Sequence, residues 1–475
     1  MRKIFVLLTV LCGFSVAVNA GGLMTNTNYH IAFDRMMARG ASLDIDAAYS
    51  NPAGLAWGHE GLQLSLNFQK PWQNRDIETS ISGFLGSDFS KKYEGVASAP
   101  IVPALFASYK KDQWAVSAMI GIVGSGGFVK YDDGIPMLNV PIMAKLFATN
   151  TALKADQTYS IDSKMEGKQY IFGGQLNFTY KITDFLSAAV GIRANYYDGF
   201  NKGHVVATAT NPLIVAALGG KSELINLQLD CPQKGWGFAP IVSLAYHNGP
   251  LTVTTRYEFR TKINTKNSTE TLMINGTNVK TLAETIGPET TVASLATQLG
   301  TDMAGKIAAY LPNVETRYDM PAMLSVAVGY EFTDKLRATA EYHFFDDKHA
   351  KMAGNRQDEL AGGTNEFLLG VEYDINDKFT ISCGGQRTDY GLSDNYQMNT
   401  SFACDSWSVG LGGAWNVTEK IRLNAGYFCT IYSDYNKSFA AGTPGSGGYY
   451  STGFAAKETY SRTNNVIGVG VDYKF

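Results

Sequence analysis

In segment after segment from Leu62 to the C-terminus, apolar side chains recur at every second residue, and no apolar run of the chain beyond its first twenty residues approaches the ~20 residues that a membrane-spanning helix needs. The last segment shows the pattern plainly. Ile467, Val469, Val471, Tyr473 and Phe475 share one parity, while Gly468, Gly470, Asp472 and Lys474 share the other. A side-chain period of two puts the first set on one face of a β-strand and the second on the opposite face. Leu324, Val326, Val328, Tyr330 and Phe332 repeat the pattern, turn at Thr333-Asp334, and continue it in Leu336, Ala338, Ala340, Tyr342 and Phe344. Other hairpins turn at Lys110-Lys111-Asp112, Thr183-Asp184, Asn376-Asp377, Thr418-Glu419 and Asn248-Gly249, the last a strong hairpin signal.

Strands are expected at about 62–74, 101–111, 113–124, 169–181, 185–199, 238–247, 250–262, 323–332, 335–345, 365–374, 378–390, 406–417, 420–434 and 465–475. Each is near the ~9–11 residues of a tilted membrane-crossing strand. Six joints are short; the seven long ones fall near 75–100, 125–168, 200–237, 263–322, 346–364, 391–405 and 435–465. Short turns at one mouth and long loops at the other describe a 14-stranded antiparallel transmembrane β-barrel, an all-β fold. A β-sandwich has no need of such strict alternation. Only 17% of residues are charged, 49 are Gly and mean hydropathy is −0.10, which suits a sheet with one greasy and one wet face. A net charge of −3 gives no footprint for nucleic acid. The aromatic terminus, Tyr473 and Phe475, resembles the signal that outer-membrane barrels present to their assembly machinery.

Ahead of the barrel, Arg2 and Lys3 precede an apolar stretch ending at Val18-Asn19-Ala20, which reads as a Sec signal peptide over 1–20. The expected location is therefore the outer membrane of a Gram-negative bacterium, among its lipids, with residues 62–475 as the barrel. Cys231, Cys383, Cys404 and Cys429 lack metal-ligand spacing. Cys231 and Cys404 fall in expected surface loops of an oxidising compartment, where a disulfide between them is an open question.

Residues 21–61 do not alternate. They contain Asn51-Pro52-Ala53-Gly54-Leu55, about thirty residues after the expected cleavage site and just before the first strand. This arrangement resembles the hatch motif of the FadL family of outer-membrane transporters for long-chain fatty acids and other hydrophobic compounds. The resemblance spans the whole chain and implies that 21–61 folds as a lumenal hatch. Physics asks for something similar, because a fourteen-stranded barrel is too wide for its own side chains to fill.

In the fourth long loop Val292, Leu295, Leu299, Met303, Ile307 and Leu311 recur at helical spacing, and the third carries Pro212-Leu213-Ile214. Apolar loop surface either packs on itself or receives a hydrophobic ligand. The resemblance implies the second, with short loop helices as a capture groove, then a lumenal pocket, hatch movement and lateral release where the third strand kinks. Gly121, Gly124, Gly126 and Gly127 lie there, and glycine permits a bulge. By parity Arg193, Arg256, Arg260, Arg337 and Arg422 point inward, and Arg193, Arg256 and Arg260 are candidate partners for a carboxylate. No G-x-S-x-G, H-E-x-x-H or G-x-G-x-x-G is present, so no catalytic residue, metal or cofactor is expected. The expected function is uptake of long-chain fatty acids or similar molecules by a monomer. The competing readings are a transporter of aromatic hydrocarbons and a general porin.

Overall fold

The computed structural model describes Leu23 and residues 29–148, 159–217, 219–299, 301–444 and 446–475; the expected signal peptide, 1–20, lies outside the described residues. Fourteen antiparallel strands close one sheet: β1 (Gly61–Ile81), β2 (Val102–Lys111), β3 (Trp114–Tyr131), β4 (Tyr159–Lys181), β5 (Leu186–Ala209), β6 (Glu223–Asn248), β7 (Leu251–Glu258), β8 (Met323–Glu331), β9 (Leu336–Phe345), β10 (Thr364–Asp374), β11 (Phe379–Asp389), β12 (Ser406–Asn416), β13 (Ile421–Tyr432) and β14 (Ala456–Lys474). Each pairs with its neighbours in sequence, and β14 closes the ring on β1 from Gln63↔Lys474 to Ile81↔Ala456. These are the fourteen strands expected from the alternation.

The outward parity explains why the sheet belongs in lipid. Leu176, Val190, Phe238, Leu369, Leu411 and Val469 are all exposed, while their strand neighbours Gln175, Ala189, Ala239 and Ser243 are buried inside. A belt of this size, one residue in two around the ring, is stable only against hydrocarbon.

Several strands are much longer than expected. β4, β5 and β6 run 23, 24 and 26 residues, where 169–181, 185–199 and 238–247 were expected. The extra turns of strand stand above the belt, and there the alternation reverses sense. On β6 the outward residues change from Trp236, Phe238 and Leu244 to Lys234, Asp230 and Asn226, while the inward ones become Leu229, Leu227 and Ile225, all buried. β4 does the same: Tyr170, Phe172 and Phe178 give way to Lys168, Glu166, Lys164 and Asp162. Outside the membrane the solvent on the outer face is water, so apolar side chains move to the interior. The expected loop 200–237 therefore contracts to 210–222, and Cys231 lies in β6 rather than in a loop. Cys231 and Cys404 are both buried free thiols; the first points inward beside Thr269, the second lies beside the Tyr460 carbonyl, and no disulfide joins them.

Two short helices, α1 (Ile31–Met36) and α2 (Ala47–Ser50), lie below in the lumen; α3 (Pro136–Ala148), α5 (Val279–Ile286), α6 (Pro288–Leu299) and α7 (Thr301–Ala308) fill the upper barrel, and α4 (Pro212–Ala217) lies more exposed. Ile142 and Leu146 of α3, Leu295 of α6 and Ile307 of α7 join Val205, Ile225 and Leu227 in one buried cluster. Leu227→Ala is expected to cost about 2–5 kcal/mol of local stability. Limited proteolysis of the upper loops should accelerate, whereas Leu244→Ala, on the lipid face, should leave that rate unchanged.

Candidate transport pathway

The segment 29–58 occupies the lumen, and the inner wall is shaped for it. Helix α1 (Ile31–Met36) lies on a bed of inward glycines from β10 to β14. A Cβ on Gly384 would stand 1.8 Å from the Met36 carbonyl oxygen, and one on Gly410 would stand 2.4 Å from that of Asp34. Only hydrogen fits there. Polar contacts then fix the helix on both flanks. Asn67 Oδ1 accepts from the Ile31 amide at 3.1 Å, Gln69 donates to Asp34 at 2.8 Å, and Arg35 pairs with Glu372. His30 Nε2 lies 3.0 Å from Asp472, and the Glu341 carboxylate accepts from the amides of Arg39 (3.0 Å) and Gly40 (2.7 Å). Within the segment, Arg39 binds both oxygens of Asp46 at 2.7 and 2.8 Å. Burial alone would lift the Asp46 carboxyl, yet this guanidinium holds it well below the usual carboxylate range.

The Asn51-Pro52-Ala53-Gly54 motif turns the chain between α2 (Ala47–Ser50) and a 3-10 helix, Pro52–Trp57. Asn51 Nδ2 donates to the Ser42 carbonyl at 3.1 Å and its Oδ1 accepts from Ser243 at 3.3 Å. Thr179 and Ser187 donate to the carbonyls of Pro52 (2.8 Å) and Ala53 (2.7 Å). A Cβ on Gly54 would stand 2.3 Å from Asn51 Nδ2, so the turn closes only with glycine. Pro52 starts its helix where an amide proton has no partner to lose.

In the wall, β3 slips register against β4 twice, between Ile122 and Gly124 and between Ser125 and Gly127. Gly127 adopts φ of 76°, a conformation that favours glycine. Gly121 precedes the first slip and Gly126 lies within the second. On its other edge β3 pairs with β2 only from Trp114 to Ile120, and regains a partner at Val129↔Ala97. Residues 121–128 therefore leave a stretch of wall without ladder pairs on that side. Behind it is a cavity of about 170 Å3, bounded at the wall by Ala99, Val102, Ile122, Gly124 and Tyr170 and below by Phe33 and Met37 of the lumenal segment.

Two arginines face this cavity, Arg75 and Arg462. They are directly opposed on β1 and β14, and Arg462 lies over the Tyr432 ring at 4.7 Å. Arg462 forms no ion pair among the described residues, and its Nε has no hydrogen-bond partner. The candidate arginines from the sequence lie elsewhere. Arg193 is held by Glu258 (2.7 Å) and Gln175 (3.0 Å); Arg256 donates to the Tyr49 carbonyl, and both guanidinium groups sit over the Tyr49 ring. Arg260 bonds the His349 carbonyl. None of the three lines the cavity, because each already serves the wall, the lumenal segment or a loop. Arg75 and Arg462 were hidden because they lie just past the expected strand limits at 74 and 465. Their parity would have marked them inward had the longer strands been foreseen.

Of the apolar loop residues, Leu213 is exposed and Ile214 half-buried on α4, while Leu295 and Ile307 are buried in the upper core. Leu299 and Met303 belong to α6 and α7, and their side chains lie outside the described residues. The expected continuous helix is thus divided over two, with Leu295 and Ile307 turned into the protein rather than toward solvent.

An apolar belt, a closed fourteen-strand ring and an occupied lumen define an outer-membrane β-barrel. Neither a family model nor a curated protein sequence matches the chain. Solved structures do. A FadL homologue from Pseudomonas aeruginosa superposes with a TM-score of 0.66 over 96% of this chain and 100% of its own, at 14% identity. The toluene transporter TodX of P. putida superposes with a TM-score of 0.52 over 92% and 98%, at 12% identity. At such identities the likeness is one of fold, and the fold is that of FadL.

Two outcomes follow from this geometry. Gly384→Ala should unseat α1, exposing the lumenal segment to protease in the folded barrel; Gly385→Ala, whose Cβ would meet only the Ser408 carbonyl at 3.5 Å, should not. The loop between β9 and β10 carries Asp347, whose carboxyl burial pushes up to about 7 against hydrogen bonds from Thr364. An acid raised in the folded state favours folding when protonated, so this loop should loosen as pH rises from about 4 to about 7 and change no further above that. Hydrogen exchange of 346–363 should show the trend, and Asp347→Asn should flatten it.

Proposed function

We propose that the protein takes hydrophobic molecules with an anionic head, long-chain fatty acids foremost, across the outer membrane. The observation that carries this reading is the cavity beneath the β3 bulges, apolar where it meets the wall and furnished with Arg75 and Arg462. The P. aeruginosa FadL homologue and the toluene transporter TodX share this fold and support a hydrophobic cargo. Two opposed guanidinium groups favour a carboxylate over a neutral hydrocarbon, since a fixed pair of like charges is relieved by an anion between them. In this reading residues 21–61 act as a hatch that keeps the lumen closed to general diffusion, as a porin would not. Ligand enters past the loop helices, with Leu213 and Ile214 at the rim and α6 and α7, the helices that carry Leu295, Leu299, Met303 and Ile307, forming the cap beside it. It rests in the cavity and leaves sideways at Gly121–Gly127 into the lipid. Residues 1–20 direct Sec export, Phe475 presents the chain to the barrel-assembly machinery, and the barrel acts as a monomer without catalysis or cofactor.

Binding of oleate to the purified barrel tests the pocket. Arg75→Gln with Arg462→Gln should weaken oleate by about 10–100-fold, the loss of a charge-assisted hydrogen bond or two. Oleyl alcohol, with the same tail, should bind the double variant as it binds the parent. Equal loss for both ligands would assign the arginines to structure, and tighter binding of toluene than of oleate would favour the hydrocarbon reading. In planar bilayers the parent should show no steady large conductance, and deletion of 29–58 should produce one; an open pore in the parent would restore the porin reading.

A further inference from the structure

The outer wall of β6 carries a concentration of positive charge that transport does not use. Beyond β7 a short strand, Asn264–Asn267, pairs with β6; there Lys234 is directly opposed to Lys266, and both point outward. Lys262 lies on the same outward parity two residues before Asn264, which itself pairs with Trp236. Like charges placed opposite one another destabilise a sheet unless something neutralises them. Lys234, Lys262 and Lys266 form no ion pair among the described residues. Asp198, the other neighbour of Lys234, is bonded instead to Lys168 at 2.6 Å. Glu315 opposes Lys266 in the ladder without pairing to it, and both are exposed. Arg260 and Arg317 flank the patch, and the one buried acid between them, Asp319, is taken up by Arg317 at 2.6 Å with Arg260 at 3.8 Å.

Height settles what this patch meets. Trp236 and Phe238, 61% and 60% exposed, are the uppermost outward aromatics of the belt on β6. Aromatic girdles mark the membrane–water boundary. Lys234 and Lys266 stand one outward step above Trp236, about 7 Å along the strand, at the depth of lipid head groups. Tyr196 packs against Trp236 with ring centroids 4.6 Å apart and the planes tilted by 38°, giving an aromatic surface directly below the lysines.

We infer that this face docks a phosphorylated lipid of the outer leaflet, its phosphates between Lys234, Lys262 and Lys266 and its acyl chains on Trp236 and Phe238. The charge complementarity is specific to that depth. On the neighbouring strands farther up, Lys202 of β5 is paired with Asp230 of β6, and Lys164 with Glu166 on β4, so those cations are already neutralised within the protein. A docked lipid relieves the lysine repulsion and fixes the orientation of the barrel beside its neighbours.

The test uses the full barrel purified in a neutral detergent, with bisphosphorylated lipid A and its dephosphorylated form as probes in native mass spectrometry. The parent should retain the bisphosphorylated form and lose the dephosphorylated one at least tenfold more readily. K234E/K262E/K266E should lower retention on the order of a hundredfold, at roughly tenfold or somewhat less per cation. Folding is checked by the heat-dependent shift in gel mobility. If the triple reversal does not fold, Lys262→Gln and Lys266→Gln should each reduce retention in part. Equal retention of both lipids, or unchanged retention in the folded variants, would overturn the proposal. Full competition by millimolar inorganic phosphate would also overturn it, assigning the patch to free anions instead.

Discussion

A ring of fourteen strands leaves more room than its inward side chains can fill, and the rest of this structure is an answer to that one constraint. The chain spends residues 29–58 on filling it. Shape is supplied by glycines on β10 to β14, which let α1 approach the wall to backbone distance, and orientation by polar contacts, through Arg35 with Glu372, His30 with Asp472 and Glu341 with two backbone amides. A buried pair of this kind is weak as a source of stability but costly to break on one side only.

The same constraint explains where the free space remains. The filling segment leaves the lumen under β3 open, and there the wall itself is least continuous. Two register slips and a stretch without ladder pairs from 121 to 128 lie against a cavity whose upper lining carries Arg75 and Arg462. Above the belt, water replaces lipid outside, and the strands exchange their faces; the interior becomes apolar and receives α3 and α5 to α7. The proposed pathway thus passes from an apolar cap to a charged pocket to a gap facing hydrocarbon.

Much of this was legible in the sequence because lipid imposes strict rules. Ile467 to Phe475, or Leu324 to Phe344, can alternate so regularly only as strands greasy on one side, and the short and long joints then order them into a ring. The glycines of β3 also announced a bend. What the alternation could not show was where it changes sense. Val205, Ile225, Leu227 and Leu229 are apolar and periodic too, but on the inner parity, and a reading tuned to apolar-out strands ended before them. Arg75, Arg462 and Cys231 were lost to loops for that reason. The inward glycines Gly384, Gly410 and Gly426 looked merely small, since the helix that requires them lies hundreds of residues away in sequence. Arg193 and Arg256 were correctly placed inside, but parity cannot distinguish a cation facing a cavity from one already bound to Glu258 or to the Tyr49 carbonyl.

Lateral exit through β3 is the claim on which the account turns, and a reversible staple across the gap tests it most directly. A Cβ on Gly121 would stand 3.4 Å from that of Ala104, close to the ~3.8 Å typical of a disulfide. In a barrel whose other cysteines are replaced, Ala104→Cys with Gly121→Cys should bind oleate normally in both redox states. Oleate uptake into cells should fall when the pair is oxidised and return on reduction. Uptake that is the same with the staple closed would contradict lateral exit and send the ligand past the lumenal segment instead.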